Sequence, residues 1–336
     1  MKTYLNLLVV FAILCWQSNT ILASEQYHIE NLGIMSGLSD GDVLSITQDS
    51  RGQIWVATAN GLNRFDGTDF INFTMENSGL GSNALNCVTQ LPNDPDRLWI
   101  GSQRDGIFYY DHASGEIHGL THPVQISTDV TTITPASDSG MWVNYYHFGP
   151  QYINFQTGES QEYTYRKIPG MPKHCWTTTE GKDGKLYVGH AGEGFSVVDT
   201  VQKKVVTFRH QEGKPSIPGN EVYSVCVDKD DDVWLGTDKG AALYLPKQNL
   251  FIPFTNDENN PNSILPGRIR HIAQDRNGNI WFASTLAGVC MLPASSSKAD
   301  GYSKAKFTRI PTNGFSLYTS NEYARTIYPD SFGNIS

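Results

Sequence analysis

Along most of the chain, apolar and polar positions alternate in short runs, and glycine-bearing turns separate the runs. "VLSITQD" (43–49), "VYSVCVD" (222–228) and "IRHIAQD" (269–275) carry the period of two that a half-buried strand imposes. A tight turn such as "DSRG" or "DRNG" follows, where glycine takes the positive φ that other residues resist. A second apolar run comes next: "QIWVAT", "RLWIGS", "DVWLGT" or "NIWFAS". A short loop, a glycine, a third run ("GLNRFD", "GIFYYD", "GFSVVD") and a fourth ("FINFT", "KVVTFRH", "LFIPFT") complete the unit. No stretch of useful length carries the helical period, so the expected class is all-β.

The unit recurs. The aromatics after the first turn are Trp55, Trp99, Trp142, Tyr187, Trp234 and Trp281, at spacings of 44, 43, 45, 47 and 47 residues. That period, with short strands and no helices, predicts a β-propeller whose blades are four antiparallel strands, A innermost to D outermost. Six copies are complete. A seventh begins at Asn321, and Ser336 stands where its aromatic is due. The segment "YHIENLGIMSGLSDGD" (27–42) resembles "FINFTMENSGLGSNAL" (70–85), a strand D leading into the next strand A. The N-terminus is therefore expected to supply the outer strand of the last blade, closing a seven-bladed ring and removing exposed sheet edges. On that reading the last blade is incomplete, and the chain is expected to be a fragment of a longer polypeptide or a truncated gene product. A six-bladed ring with a frayed tail is the alternative.

Composition narrows the partners. With 34 acidic and 25 basic residues the net charge is −9, and no basic run appears, which argues against nucleic acid. Residues 1–24 have a charged start, an apolar middle and a small-residue exit, as in an export signal cleaved after Ala23 or Ser24. The apolar run of ~13 residues is short for a membrane span, which needs about 20. Bulky Ile13 and Leu14 before Cys15 disfavour a lipoprotein. The propeller is expected over 25–336. Cys87, Cys175, Cys226 and Cys290 show no CxxC spacing and sit in strand-like runs, so buried free thiols are expected. The exported setting leaves disulfides open as the alternative.

The stretch "GLSDGDVLSITQDSRGQIWVATANGLNRFDG" resembles the two-component regulator propeller repeat. So do "SIPGNEVYSVCVDKDDDVWLGTDKGAALY" and "NSILPGRIRHIAQDRNGNIWFASTLAGV". The resemblance runs over roughly residues 27–336, strongly in units one, two, five and six and loosely in three and four. It implies a periplasmic sensor region that precedes a β-sandwich, a transmembrane helix and a cytoplasmic output. That output is most often a histidine kinase, frequently a hybrid with a response regulator and a DNA-binding module. Many members respond to oligosaccharides, so the resemblance implies an oligosaccharide or similar small molecule as partner. It also implies inner-membrane anchoring, and a homodimer in the full-length receptor, through segments outside these residues.

Two sets of positions vary where the rest of the unit is constant. In a propeller the B–C and D–A loops open on one face. The B–C loops keep their closing glycine but change what precedes it: Ala59-Asn60, Arg104-Asp105, His147-Phe148, Gly192-Glu193, Asp238-Lys239 and Leu286-Ala287. Early in strand A a second column reads Leu44, Asn86, Thr131, Trp176, Tyr223, Arg270 and Arg325, beside a steadily apolar one of Val43, Leu85, Val130, Cys175, Val222, Ile269 and Ala324. The mixed column is expected to point toward the central channel, where aromatic faces stack on sugar rings and arginine or amide groups meet hydroxyls or a uronic-acid carboxylate. A channel lined only by solvated side chains is the alternative. The aromatic stretch "NYYHFG" (144–149) is either a stacking platform or local packing. The candidate ligand-binding residues are Asn86, Arg104, Asp105, Tyr146, His147, Trp176, Glu193, Tyr223, Asp238, Lys239, Arg270 and Arg325.

Chemistry beyond binding finds little support. No GxSxG, HExxH, Walker or Rossmann motif is present, and no cofactor or metal is expected. "DKDDD" (228–232) opens like a calcium loop, but Val233 stands where that loop needs glycine, so a plain turn is expected. His147 and His190 occupy related B–C loops and could meet across the face, as in propeller lyases with a rim histidine and a divalent metal. That enzyme reading and a protein-interaction platform are the alternatives to a sensor.

Overall fold

A computed structural model describes residues 30–120, 125–296, 302, 304–310 and 324–336. The expected export signal at 1–24 lies outside them. Every strand falls in the structural unit Leu32–Ser336. The strands form six sheets of four antiparallel strands in the order A-B-C-D. The innermost strands are Val43–Gln48, Leu85–Gln90, Val130–Pro135, Cys175–Glu180, Val222–Val227 and Ile269–Gln274. The second strands are Ile54–Thr58, Arg97–Ser102, Met141–Tyr145, Lys185–His190, Val233–Thr237 and Ile280–Ser284. The all-β propeller expected from the repeat is present.

The apolar core lies between blades. Trp234 packs with Phe254 of its own sheet and with Phe282, Ile269 and Ile272 of the next. Trp55 does the same with Leu85, Val88, Ile100 and Tyr110 of blade two. Such layers place large aromatic bodies in contact at ring distances of 5.6 Å (Trp234–Phe254) and 5.7 Å (Trp234–Phe282). Blades approach so closely that a Cβ on Gly236 would lie 2.6 Å from the carbonyl oxygen of Ile269. Glycine stands there because nothing larger fits.

One turn unit repeats at the A–B corner. The aspartate ending strand A accepts backbone N–H bonds across the turn and the indole N–H of the strand B tryptophan. Distances to the indole are 2.7 Å for Asp49–Trp55, 3.0 Å for Asp228–Trp234 and 2.9 Å for Asp275–Trp281. Asp228 Oδ1 also accepts from the N–H groups of Asp230 and Asp232, so "DKDDD" is this same turn. Blade three lacks that aspartate, and Trp142 donates instead to Glu180 of blade four at 2.7 Å. The neighbouring blade satisfies the indole that its own turn does not.

The seven-bladed expectation requires correction: the described residues form six blades. For the seventh unit the described residues 324–336 supply only an A-strand segment and its turn, with one bridge between Pro329 and Ile335. The outer strand expected from the N-terminus falls almost wholly outside the described residues. Residues 30–42, which follow it, carry a short 3-10 turn at Ile34–Ser36. The tail is nevertheless ordered into the ring. Ile327 is buried with Trp281, Ala283 and Met291. The Ser331 N–H donates to Gln48 Oε1 at 2.9 Å, the bond that Lys229 makes to Gln274 at 2.8 Å between blades five and six. Residues 324–336 thus join blade six to blade one.

The described cysteines are free thiols, with Cys87, Cys175 and Cys290 buried and Cys226 half-buried. Burial pushes the Cys87 and Cys226 thiols up to about 12, which keeps them protonated and unreactive.

Candidate functional site

A cavity of about 490 Å³ opens at the inner ends of the blades, within the size range of small-molecule sites. All seven members of the variable strand A column line it: Leu44, Asn86, Thr131, Trp176, Tyr223, Arg270 and Arg325. The strand pairing supplies the cause. In the six blades the register between strands A and B slips by one residue at that position. Val43 and Ser45 face consecutive residues Thr58 and Ala57, leaving Leu44 over. The same slip skips Asn86, Thr131, Trp176, Tyr223 and Arg270. A β-bulge frees one residue from the ladder and re-aims its side chain. The bulge sends this column into the channel, while the apolar residue before it stays between blades.

The wall is continuous from blade three to blade six. Tyr146 lies 4.7 Å from Trp176 between ring centroids, and Trp176 lies 5.8 Å from Tyr223. The Arg270 guanidinium carbon sits 4.3 Å from the Tyr223 centroid and 5.6 Å from that of Trp176, within cation–π range. His174 extends the row, 5.4 Å from Tyr146. Polar groups hold the rings in place. Trp176 Nε1 donates to Glu221 Oε2 at 3.0 Å. Asn86 Nδ2 donates to the Val130 carbonyl at 2.8 Å. Arg325 pairs with Asp42 at 2.9 Å across the ring seam.

The electrostatics fit a partly desolvated hollow. Burial raises the Asp129 carboxyl above the usual carboxylate range, and His147, 3.9 Å away, offsets only part of that. Tyr223 is raised by burial and then by Glu221, and Tyr146 by burial, Glu221 and Asp129. Among the described residues no cluster of three or more His, Cys, Asp or Glu is arranged to hold a metal ion.

The candidate residues divide into three groups. Asn86, Arg104, Tyr146, Trp176, Tyr223, Arg270 and Arg325 line the main cavity. Asp238 lines an adjoining hollow that shares Arg270 and Arg325. Asp105, His147, Glu193 and Lys239 line neither. Glu193 instead pairs with Arg209 of its own blade at 2.9 Å. His147 stacks edge-on against Tyr146, 4.9 Å away. His147 and His190 do not meet. His190 is fully buried, bonded to Ser196 Oγ at 2.7 Å and to Cys175 Sγ at 3.2 Å, and burial holds it neutral with a pKa of about 3. It stands where Thr58 and Thr237 close the B–C turn of other blades by donating to Gly61 and Gly240.

Sequence reasoning passed over one more column. The residue just before strand A reads Asp42, Asp129, His174, Glu221 and Arg268 in blades one, three, four, five and six. All of them line or brace the hollows. They lie two positions before the bulge residue, and the period of two places them on its side of the strand. That alternation was the available signal.

Three segments, 37–60, 216–239 and 263–285, match the family model described as "Two component regulator propeller". Those three segments are two-component regulator propeller repeats. Over 92% of its length the chain superposes with a TM-score of 0.76 and 35% identity on 40% of a chain from B. thetaiotaomicron. That crystal structure is described as the extracellular domain of the hybrid two component system BT3049. Over 88 residues it is 30% identical to "Histidine kinase P4" of Formosa agariphila, matching 25% of this chain and 6% of the kinase. The propeller repeat chain therefore spans well under two thirds of either relative. At 14% identity and a TM-score of 0.60, virginiamycin B lyase from Staphylococcus aureus shares the fold alone. Among the described residues no helix is long and apolar enough to cross a membrane.

Proposed function

We propose that this propeller is the extracytoplasmic, ligand-sensing part of a two-component signalling system and that its ligand is an oligosaccharide or similar small molecule. One observation carries the reading. The bulge residues Trp176, Tyr223 and Arg270 of successive blades join Tyr146, from the B–C loop of blade three, in one unbroken aromatic and cationic wall along a cavity. Flat apolar faces beside fixed hydrogen-bond donors are what a sugar ring needs, because its C–H faces stack while its hydroxyls bond at the edges. Likeness to an extracellular domain of a hybrid two-component system supports the location and the signalling role. Kinase output belongs to other parts of such receptors, and this chain contributes recognition.

The test is calorimetry and thermal shift against an oligosaccharide panel. A saturable rise without turnover is expected for the parent, and its loss in Trp176→Ala and Arg270→Ala with the fold intact. Parent-like responses in both variants would remove the cavity from the reading. Appearance of product would turn it to an enzyme.

A further inference from the structure

Blades three and four depart from the repeat at the A–B corner, the end of the strands remote from the bulge. Ala136 stands in blade three where Asp49, Asp228 and Asp275 stand in others. In blade four Glu180 ends strand A, at the position that Gln48, Gln90 and Gln274 hold in blades one, two and six. Those glutamines each accept an N–H from the preceding turn, as Gln274 does from Lys229 at 2.8 Å. Glu180 does the same for Ser137 at 2.9 Å. Its Oε2 also accepts the Trp142 indole N–H, and its Oε1 the Ser137 hydroxyl. A glutamine would satisfy all three partners, with its amide donating to the hydroxyl. The scaffold therefore needs the shape of this side chain and not its charge.

That charge borders a hollow of about 230 Å³. Trp142, Tyr152 and Tyr163 line it together with Asp138 and Glu180, and neither Lys nor Arg does. Both tyrosine rings meet Trp142 edge to face, Tyr152 at 5.5 Å and Tyr163 at 5.1 Å between centroids. Gly140 makes room for the first, since a Cβ there would collide with the Tyr152 ring. The turn is pinned from both sides, by Asn93 of blade two at the Gly140 carbonyl (2.9 Å) and by Glu180 at Ser137. Glu180 Oε1 and both Asp138 oxygens accept one bond each, all from neutral donors, and each oxygen has capacity for a second. Nearby cations are engaged elsewhere, Lys182 with Asp231 at 2.9 Å and Lys185 with Asp183 at 3.4 Å. The phenols register the anions: burial raises Tyr163 and Glu180 adds to it, while burial and then Asp138 push Tyr152 up to about 12.

Carboxylates without a cationic partner beside mutually perpendicular aromatic rings suit an organic ammonium group, which ring faces and anions both attract. We infer that the hollow between blades three and four is a second binding site, separate from the channel, that takes the ammonium head of a small organic amine. The head bears hydrogens or is fully alkylated, two sources of the same cationic chemistry.

The experiment is calorimetry on the whole chain with butylammonium and tetramethylammonium chlorides, against sodium chloride at matched ionic strength. Saturable binding of an organic cation above the sodium control is expected, weakening as salt rises. Glu180→Gln installs the residue that other blades use and should keep the parent's unfolding midpoint. It should weaken amine binding about tenfold, the loss of one charged contact. Tyr152→Leu should weaken it too, and Trp176→Ala should bind the amine as the parent does. Preference for butylammonium would identify a hydrogen-bonded head, and preference for tetramethylammonium an alkylated one. No binding above the sodium control, parent-like binding in both Glu180→Gln and Tyr152→Leu, or loss of binding in Trp176→Ala overturns this inference while the sensing reading stands.

Discussion

Trp234 and Trp176 show what separates the scaffold of this propeller from its mouth. Each donates its indole N–H to a carboxylate at 3.0 Å, Trp234 to Asp228 and Trp176 to Glu221. Trp234 lies on a regular part of strand B and is 1% exposed among Phe254, Phe282 and Tyr302. Trp176 sits in a bulge of strand A, half-buried between Tyr146 and Tyr223 on the cavity wall. The same side chain, equally satisfied, serves cohesion in one place and lines the cavity in the other. Strand register decides which, because in the ladder it faces the next blade and in the bulge it faces the channel.

The aspartates divide in the same way. Asp275, at a turn, would be raised by burial, but bonds from Trp281, Asn279 and Asn277 prevail and lower it. Asp129, at the mouth, has no such set of donors, and burial raises it. A scaffold carboxylate is stabilised as an anion where the mouth carboxylate is held under mild electrostatic strain.

The largest expected difference is between the two tryptophans. Trp234→Ala should cost about 3–5 kcal/mol in urea unfolding, as for large buried aromatics. Trp176→Ala should cost about 1 kcal/mol or less while abolishing ligand response. Similar losses of stability in both would erase the distinction. Next, Asp275→Ala should cost about 1–3 kcal/mol by removing the acceptor of the Trp281 N–H and of the turn amides. Its pH dependence has a definite sign. The folded pKa is lowered, so the stabilisation is present above the ordinary carboxylate value near 3.8 and is lost as pH falls through the folded value. Unfolding midpoints measured from pH 6 down to 2.5 should therefore fall more shallowly in Asp275→Asn than in the parent.

The smallest effect is at Asp129, where the sign reverses. A raised folded pKa means the folded state holds its proton longer, so stability declines as pH rises from 3.8 through the folded value. Because the side chain is 31% exposed, Asp129→Asn should raise stability at pH 7 by only a few tenths of a kcal/mol. Midpoints at pH 4 and 7 would check it, and a loss at pH 7 would show that the carboxylate is satisfied after all.

Much of this was legible in the chain because a blade is a local object. Alternation, turn glycines and the aromatic after each turn repeat within one period, and each is enforced by contacts inside a blade or with its neighbour. The Leu44-to-Arg325 column could be aligned for the same reason. Individual rim residues were less legible: Asp105, Glu193 and Lys239 sit on the right loops, yet a loop alignment carries no information on where a flexible side chain turns. Glu221 and Asp129 were overlooked because they lie just outside the strand, where the period of two still acts but the apolar pattern has ended.

By itself, the sequence determined the all-β class, the repeating four-stranded blade and the column whose residues differ from unit to unit, since all three are written at short range. Only the tertiary structure decided that there are six blades, that a bulge turns the column inward, and that two hollows share Arg270 and Arg325. Those outcomes depend on backbone register and on partners far apart in the chain, such as Arg325 with Asp42 and Ser331 with Gln48, and no local pattern encodes a contact made across the ring.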